Sequence, residues 1–285
     1  MRSPKATFLL LAANVAFGLV QVNAYVVEPL SVQTTELKLS FDKLDPHAPP
    51  IRVVHLTDIH IERNSYREAA IIRQVNALEP DVIVLTGDYL NLSYLHDPTS
   101  IAHFGQFVTQ LEAPYGIYAV RGSVEPLPEG MAQLIRGTGV KWLEQETETI
   151  LVRGQQITLA GVACSHKLDL DTFRLQRALA GAPDNAFTLL LYHSPDLILE
   201  AAERQVDLYL GGHTHGGQLR LPVLGPIVTG SIYGHRYAAG LFREKDMWMY
   251  ISRGLGLEGG GMPRARFLCR PEIVYLELEG TSTQP

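Results

Sequence analysis

The chain is poor in cysteine. Only Cys164 and Cys269 occur among 285 residues, which excludes a disulfide framework and a zinc ribbon. Their spacing leaves a single disulfide open, but two buried thiols are the expectation, because free cysteine packs as a small hydrophobe. Charge is scarce as well. Asp, Glu, Lys and Arg make up 19% of the residues, the formal net charge is -6, and no run of Lys and Arg is present. A general nucleic-acid binder is thereby excluded, since such proteins neutralise phosphates with clustered cations. Internal repeats and low-complexity segments are also missing, which argues against a solenoid and against a disordered chain.

What the chain has is apolar residues, 46% of the total, and enough length for one large α/β domain with a full core. The N-terminus is distinctive. Arg2 and Lys5 precede an apolar stretch from Ala6 to about Val27, broken by Asn14, Gln21 and Asn23. A spanning helix needs about 17–25 residues, so residues 1–27 read as a single-pass membrane anchor, with residues 6–27 in the bilayer. A cleaved signal peptide is the rival reading, with Val22-Asn23-Ala24 as its cleavage site. The apolar run continues past Ala24 through Tyr25, Val26 and Val27, which favours the uncleaved anchor. Arg2 and Lys5 favour a cytoplasmic N-terminus and an extracytoplasmic body, although Lys38 and Lys43 oppose that bias.

Residues 28–50 form a lead-in. Thr35–Phe41 alternates apolar and polar, as an edge strand does, before Asp45-Pro46 and Pro49-Pro50 break the pattern. One domain then covers residues 51–280. Its first half reads strand, helix, strand, helix, strand, over Ile51–Leu56, Tyr66–Leu78 capped by Asn64 or Ser65, Asp81–Thr86, Thr99–Leu111 and Gly116–Val120. This order predicts a parallel sheet with right-handed crossovers. In the second half, Thr147–Val152 and Gln156–Val162 flank Arg153-Gly154-Gln155 as a hairpin. A helix at Leu170–Leu179 follows, then strands at Phe187–Leu191, Val206–Leu210, Trp248–Ser252 and Ile273–Leu278.

The chemistry-bearing residues cluster where these strands end. Ile51–Leu56 delivers Asp58-Ile59-His60, and Asp81–Thr86 delivers Gly87-Asp88. Phe187–Leu191 delivers His193, and Val206–Leu210 delivers Gly212-His213-Thr214-His215-Gly216-Gly217. Ligands gather at the carboxyl ends of strands in parallel sheets. Asp-x-His alone is weak, because an Asp after a strand is most often a loop cap. His-x-His inside a glycine-rich turn is sharper, since a metal can approach both rings without crowding. Asp58, His60, Asp88, His193, His213 and His215 together suit a pair of adjacent divalent-metal sites, with manganese, iron or zinc as the ions. Paired metals are common equipment for attacking a phosphate ester with water. His47, His55, His96, His103, His166 and His235 lack this context and are assigned no ligand role. His55 is close enough in sequence to support the ligands from behind.

In this order, Asp58-x-His60, Gly87-Asp88, Gly122-Ser123-Val124-Glu125, His193 and Gly212-His213-x-His215 resemble the calcineurin-like metallophosphoesterase family, from about Ile51 to Leu278. The lead-in, His213-Thr214-His215-Gly216-Gly217-Gln218, Ser252-Arg253-Gly254 and Pro271-Glu272 resemble its membrane-associated branch, which includes phosphodiesterases of the YkuE/YaeI type and hydrolases acting on UDP-diacylglucosamine. The resemblance implies a four-layer α/β/β/α sandwich with two central mixed sheets. It implies a first metal held by Asp58, His60, Asp88 and His215, and a second held by Asp88, His193 and His213. Asp88 would bridge them, and a hydroxide between the metals would be the nucleophile.

One motif departs from the family pattern. Ser123 stands where an Asn would donate to the second metal, and Val124 stands where a His would serve the leaving oxygen, so no residue is assigned the general-acid role. Loss of a general acid typically costs about 10²–10⁴ in rate, least for acidic leaving groups. The expectation is therefore a membrane-anchored hydrolase of a phosphodiester or pyrophosphate, with a lipid-linked, UDP-diacylglucosamine-like molecule as one candidate substrate. A metal- or phosphate-binding protein with weakened catalysis is the alternative. The order of motifs argues against a metal-dependent amidohydrolase.

Overall fold

A computed structural model describes residues 4–63, 66–125, 128–257 and 263–282. Arg2, which bears on membrane orientation, and Asn64 and Ser65, the expected helix caps, lie outside the described residues. The chain opens with α1 (Pro4–Val22), which passes through a π turn (Asn23–Val27) into α2 (Glu28–Leu30). Thr7–Leu30 is long and apolar enough to cross a membrane. Its side chains find little protein to pack on, and Phe8 and Leu19 are 69% and 65% exposed.

The strands follow as β1 (Gln33–Phe41), β2 (Ile51–Leu56), β3 (Val82–Leu85), β4 (Ile117–Ala119), β5 (Lys141–Trp142), β6 (Gln145–Val152) and β7 (Gln155–Val162). Then come β8 (Phe187–Tyr192), β9 (Leu208–Gly211), β10 (Arg220–Leu221), β11 (Gly225–Pro226), β12 (Gly240–Glu244), β13 (Met247–Ile251) and β14 (Glu272–Gly280). Between them lie α3 (Glu68–Ala77), α4 (Pro98–Val108), α5 (Pro128–Leu134), α6 (Leu168–Leu179) and α7 (Ile198–Glu203).

Two six-stranded sheets result, in the orders β1-β14-β2-β3-β4-β5 and β12-β13-β9-β8-β7-β6. Both are mixed. In the first, β2 to β5 run parallel and β14 runs antiparallel to β2. In the second, β7, β8, β9 and β13 run parallel, with β6 and β12 as antiparallel edges. The lead-in is built into the first sheet, because β1 pairs along its length with β14 at the edge.

Alternation of side chains across each strand fixes the layers. Val53, Val82 and Val84 of the first sheet meet Leu189, Leu191 and Leu210 of the second in the central core. The opposite faces take helices. Val54, Ile83 and Leu85 pack on Ile71, Val75, Phe104 and Phe107 of α3 and α4. Leu190, Tyr209 and Met249 pack on Leu175 and Ala178 of α6 and Ala201 of α7. The order is therefore helices, sheet, sheet, helices, as the family resemblance implied.

Local differences have local causes. The β6–β7 turn is Arg153-Gly154 alone, with φ of 51° and 83°, which is what a two-residue hairpin with left-handed turn residues requires. Gln155 pairs with Val152 instead of joining the loop. Asp97, which sequence reading passed over, caps α4 by accepting from the Ser100 N–H at 3.0 Å. Cys164 and Cys269 are buried free thiols.

Candidate metal centre

The parallel strands of both sheets end at one edge of the molecule, and the singled-out residues lie just past those ends. β2 runs into Asp58 and His60, β3 into Asp88, β8 into His193, and β9 into His213 and His215. Backbone bonds stitch the loops together. The Asp58 N–H donates to Gly87 O at 3.0 Å, the His60 N–H to Asp88 O at 3.1 Å, and the Gly212 N–H to His193 O at 2.6 Å.

Asp58, His60, Asp88, His213 and His215 all have positive φ, from 47° to 72°. Asp and His tolerate this region better than most residues, yet each such residue costs roughly 1–3 kcal/mol. The surrounding structure must impose it. Two glycines make room. A Cβ at Gly87, where φ is +97°, would collide with Gly122, and a Cβ at Gly212 would collide with the Asp58 carboxylate.

The side chains converge in two groups, and within each the donor atoms lie within 4.8 Å of one another. Asp58, His60 and His215 form the first. His60 Nε2 and His215 Nε2 are 3.1 Å apart, and His215 Nε2 is 3.3 Å from Asp58 Oδ1. Asp88, His193 and His213 form the second, with His193 Nε2 3.2 Å from Asp88 Oδ2. The groups adjoin: His193 Nε2 lies 4.0 Å from Asp58 Oδ1. All six sequence candidates are thus brought together, five of them buried and His213 half-buried at the rim.

Carbonyls fix the rings. His193 Nδ1–H donates to Thr86 O at 2.8 Å, leaving Nε2 directed at Asp88. His213 Nε2–H donates to Gly230 O at 3.3 Å, leaving Nδ1 as its free donor atom. Such outer bonds orient metal-binding imidazoles. His55, half-predicted as a support, bonds Thr86 Oγ1 at 2.7 Å from below.

The electrostatics suit cations. Burial first, then the charge on His193, lowers His213 to about 4. Burial and the neighbouring His60 hold His215 well below the ordinary imidazole value. Both rings are therefore neutral, as metal ligands must be. At His193 burial works against the charge, but the Asp88 pairing wins and keeps the ring protonated, a proton that a bound cation would displace. Burial raises Asp58, with His193 opposing. At Asp88 burial works against the charge, but the His193 pairing wins and holds the carboxyl well below its usual range. A buried carboxylate with two imidazole nitrogens in each group is a donor set for a borderline divalent cation. In the first group, two nitrogens facing each other beside a carboxylate would all be satisfied by one ion.

The departing motif has a clear structure. Glu125 is buried and accepts from the backbone N–H groups of Gly122 at 2.6 Å, Tyr89 at 2.6 Å and Asp88 at 3.1 Å. Burial and the Asp88 charge push it up to about 7. Glu125 thereby clamps the loop so that Ser123 and Val124 present their N–H groups to Asp88 Oδ1, at 2.7 and 3.1 Å.

Sequence reading assigned no role to three supports. The His166 ring, exposed, lies 4.6 Å from the His213 ring at the rim of the second group. Arg266 is fully buried and donates to the carbonyls of Arg253, Gly254, Gly256 and Cys269. Arg253 pairs with Glu272 at 2.7 Å. Together they brace the turn whose Leu255 and Gly256 N–H groups bond Asp58 O, at 3.2 and 2.6 Å. The glycine-rich stretch that precedes Arg266 was the available signal, but its partners are backbone atoms, which sequence spacing does not reveal. His47, His96, His103 and His235 join neither group.

Two stacked mixed sheets with paired Asp and His groups at their shared edge define a metal-dependent hydrolase of phosphoric esters. The chain belongs to the calcineurin-like phosphoesterase family, whose model matches residues 51–217. It is 31% identical to the metallophosphoesterase YkuE of Bacillus subtilis over 91% of this chain and 90% of that protein. It is 28% identical to the phosphodiesterase YaeI of Escherichia coli, over 96% and 97% of the two chains. With the UDP-2,3-diacylglucosamine pyrophosphatase LpxG of Chlamydia trachomatis it shares 25% identity over 88% and 90%.

Proposed function

We propose that this chain is a membrane-anchored phosphoesterase that cleaves a phosphodiester or pyrophosphate bond at a two-metal centre. The observation that carries the reading is the convergence of six Asp and His side chains, drawn from both sheets, into two adjoining groups of three. Asp58, His60 and His215 would hold one divalent cation and His193 and His213 the other, with Asp88 between them. Manganese, iron and zinc all suit these donors. When bound, the two cations acidify a water and withdraw charge from the phosphate oxygens.

The chain's own part is positioning. Thr86 O and Gly230 O hold the His193 and His213 rings, and the Glu125-clamped loop holds Asp88 through two N–H groups. The relatives' names, a phosphodiesterase and a pyrophosphatase acting on a lipid-linked nucleotide, support a diester or pyrophosphate substrate. Anchoring is supported by the exposed apolar helix and by its docked end. Ala24 O accepts from the Arg266 N–H at 2.8 Å, and Glu28 accepts from the Cys269 N–H. Arg2 and Lys5 support a cytoplasmic N-terminus and an extracytoplasmic body.

A second reading rests on Ser123 and Val124, which leave the loop without the usual Asn and His: a metal- or phosphate-binding protein with weakened catalysis. Metal analysis followed by turnover of bis-p-nitrophenyl phosphate with added manganese separates the two. Turnover dependent on the metal supports the enzyme. Two bound metals without turnover supports the binder, and failure to bind either metal or inorganic phosphate overturns both.

A further inference from the structure

One surface is more apolar than a water-facing loop needs to be. Residues 219–232, which include the small β10–β11 hairpin, expose Leu221, Val223, Leu224, Ile227, Val228 and Ile232. Contiguous exposed apolar side chains on one loop mark an interaction surface. Val223 at the tip is fully exposed and has a φ of 69°. A β-branched residue there is strained, and Gly or Asn would fit the backbone better. An apolar side chain is thus kept in water at a place where the fold would favour a small or polar one.

The loop is fastened to the same segment as the end of the N-terminal helix. Phe267 N–H donates to Gln218 O and Arg220 N–H donates to Phe267 O, each at 3.0 Å. One residue away, the Arg266 N–H donates to Ala24 O at 2.8 Å, and two residues further on the Cys269 N–H reaches Glu28. Leu268, between these anchoring points, is exposed. The loop also reaches the metal groups: Gly230 O holds the His213 ring. A cavity of about 150 Å³ beside His213 and His215 is walled by Val228 and Thr229. On the other side, a cleft of about 140 Å³ beside His60 is walled by Pro29 and Leu30 at the helix end.

We propose that the 219–232 loop is a second membrane contact, which seats on the bilayer surface and turns the mouth of the metal centre toward it, so that the substrate's phosphate is drawn from an amphiphile in that bilayer. The inference rests on the anchored-phosphoesterase reading. Continuity with the anchor names the occupant. So does charge: the loop carries Arg220 and no carboxylate, Arg236 follows it, and Asp196, which accepts from the Ser231 hydroxyl and the Ile232 N–H, is buried beneath it, a sign pattern that suits anionic headgroups.

The test uses the full chain reconstituted in vesicles of phosphatidylcholine and phosphatidylglycerol. Val223→Cys and, as control, Asp246→Cys at an exposed site are labelled with an environment-sensitive fluorophore; the native cysteines are buried. The Val223 label should be quenched by doxyl-labelled lipid and shielded from iodide, and the Asp246 label the reverse. Iodide quenching of both labels alike overturns the proposal. So does shielding that follows protein density instead of doxyl lipid, which would mean a contact between copies. A second variant, Val223→Asn with Leu224→Asn, relieves the strained tip and should leave the melting temperature unchanged or higher. It should lower turnover of vesicle-embedded CDP-diacylglycerol by about a hundredfold or more, since each buried Val or Leu side chain is worth more than about tenfold, and leave soluble bis-p-nitrophenyl phosphate untouched. Equal loss on both substrates, or no loss on either, overturns the proposal. If no substrate turns over at all, the enzyme reading has failed, and the quenching result still decides the membrane contact.

Discussion

Ser123 donates its hydroxyl to Asp88, at 3.0 Å from Oδ2, while its backbone N–H donates to Oδ1 at 2.7 Å. Ser123 Oγ also lies 3.5 Å from His193 Nε2. Ser123, which stands where the family resemblance implies an Asn, is therefore not a vacant position. It binds the carboxylate proposed to lie between the two cations, and the backbone half of that grip survives any side-chain change.

The first expectation concerns Asp88. It accepts from Ser123 and Val124 and pairs with His193, so Asp88→Asn removes a charge that several groups depend on. Asp88→Asn should cost more turnover than His60→Ala and more than the 10–100-fold, roughly, that loss of an outer support costs. Metal content by atomic absorption and steady-state rates check this. Wild-type metal content and rate in Asp88→Asn would remove Asp88 from the centre.

A second expectation concerns pH. Burial lowers His55 to about 3, against the opposing charge of Glu272. The unfolded chain, with an ordinary imidazole, binds a proton that the folded chain refuses between about pH 6.5 and 3. The unfolded state thus holds more protons in that window, and stability falls as pH falls through it. Between pH 6.5 and pH 5 this one group should remove about 2 kcal/mol. Denaturant unfolding at the two pH values should show a smaller difference in His55→Asn than in the wild type; equal differences would assign the acid sensitivity elsewhere.

The sheets were legible because their strands are short apolar runs with turn residues behind them, as at Val82–Leu85 followed by Gly87-Asp88. The convergence of the six Asp and His side chains was legible for the same reason: strand ends point at one edge. What escaped was structure whose signal is tertiary. β12 is a half-exposed edge strand without alternation, paired only because β13 lies beside it. Helices α5 and α7 have seven and six residues, too few for a periodic pattern. Arg266 braces the centre through carbonyls, and His166 reaches His213 from a loop after β7. No spacing rule connects residues 166 and 213.

The docked N-terminal helix gives a third expectation. Ala24 and Glu28 are buried and bonded to Arg266 and Cys269, and Cys269 Sγ donates to His215 O at 3.1 Å. The end of the helix is thus two contacts from the first metal group. Deleting residues 1–22 should yield a soluble protein that binds two metals. Deleting residues 1–30 should also release it, but with weaker metal binding by titration calorimetry. Equal metal affinity in the two truncations would mean that the docked helix end does not support His215. A mature N-terminus at Tyr25 would replace the anchor with a cleaved signal.

The last expectation returns to the altered loop. Val124 carries no proton to give a leaving oxygen, and the exposed His166 ring lies 4.6 Å from the His213 ring of the second group. If His166 serves the leaving group, His166→Ala should slow esters with poor leaving groups by up to the 10²–10⁴, roughly, that general acids supply. It should barely affect bis-p-nitrophenyl phosphate, whose acidic leaving group needs no proton. Ser123→Asn with Val124→His should then rescue His166→Ala on the poor leaving groups, because a new imidazole enters the site. The rescue should appear in kcat and not in KM, since protonation acts in the transition state. No loss in His166→Ala on either class of ester would free His166 of this role. A gain on both classes in the loop variant would point instead to tighter metal binding through the introduced Asn.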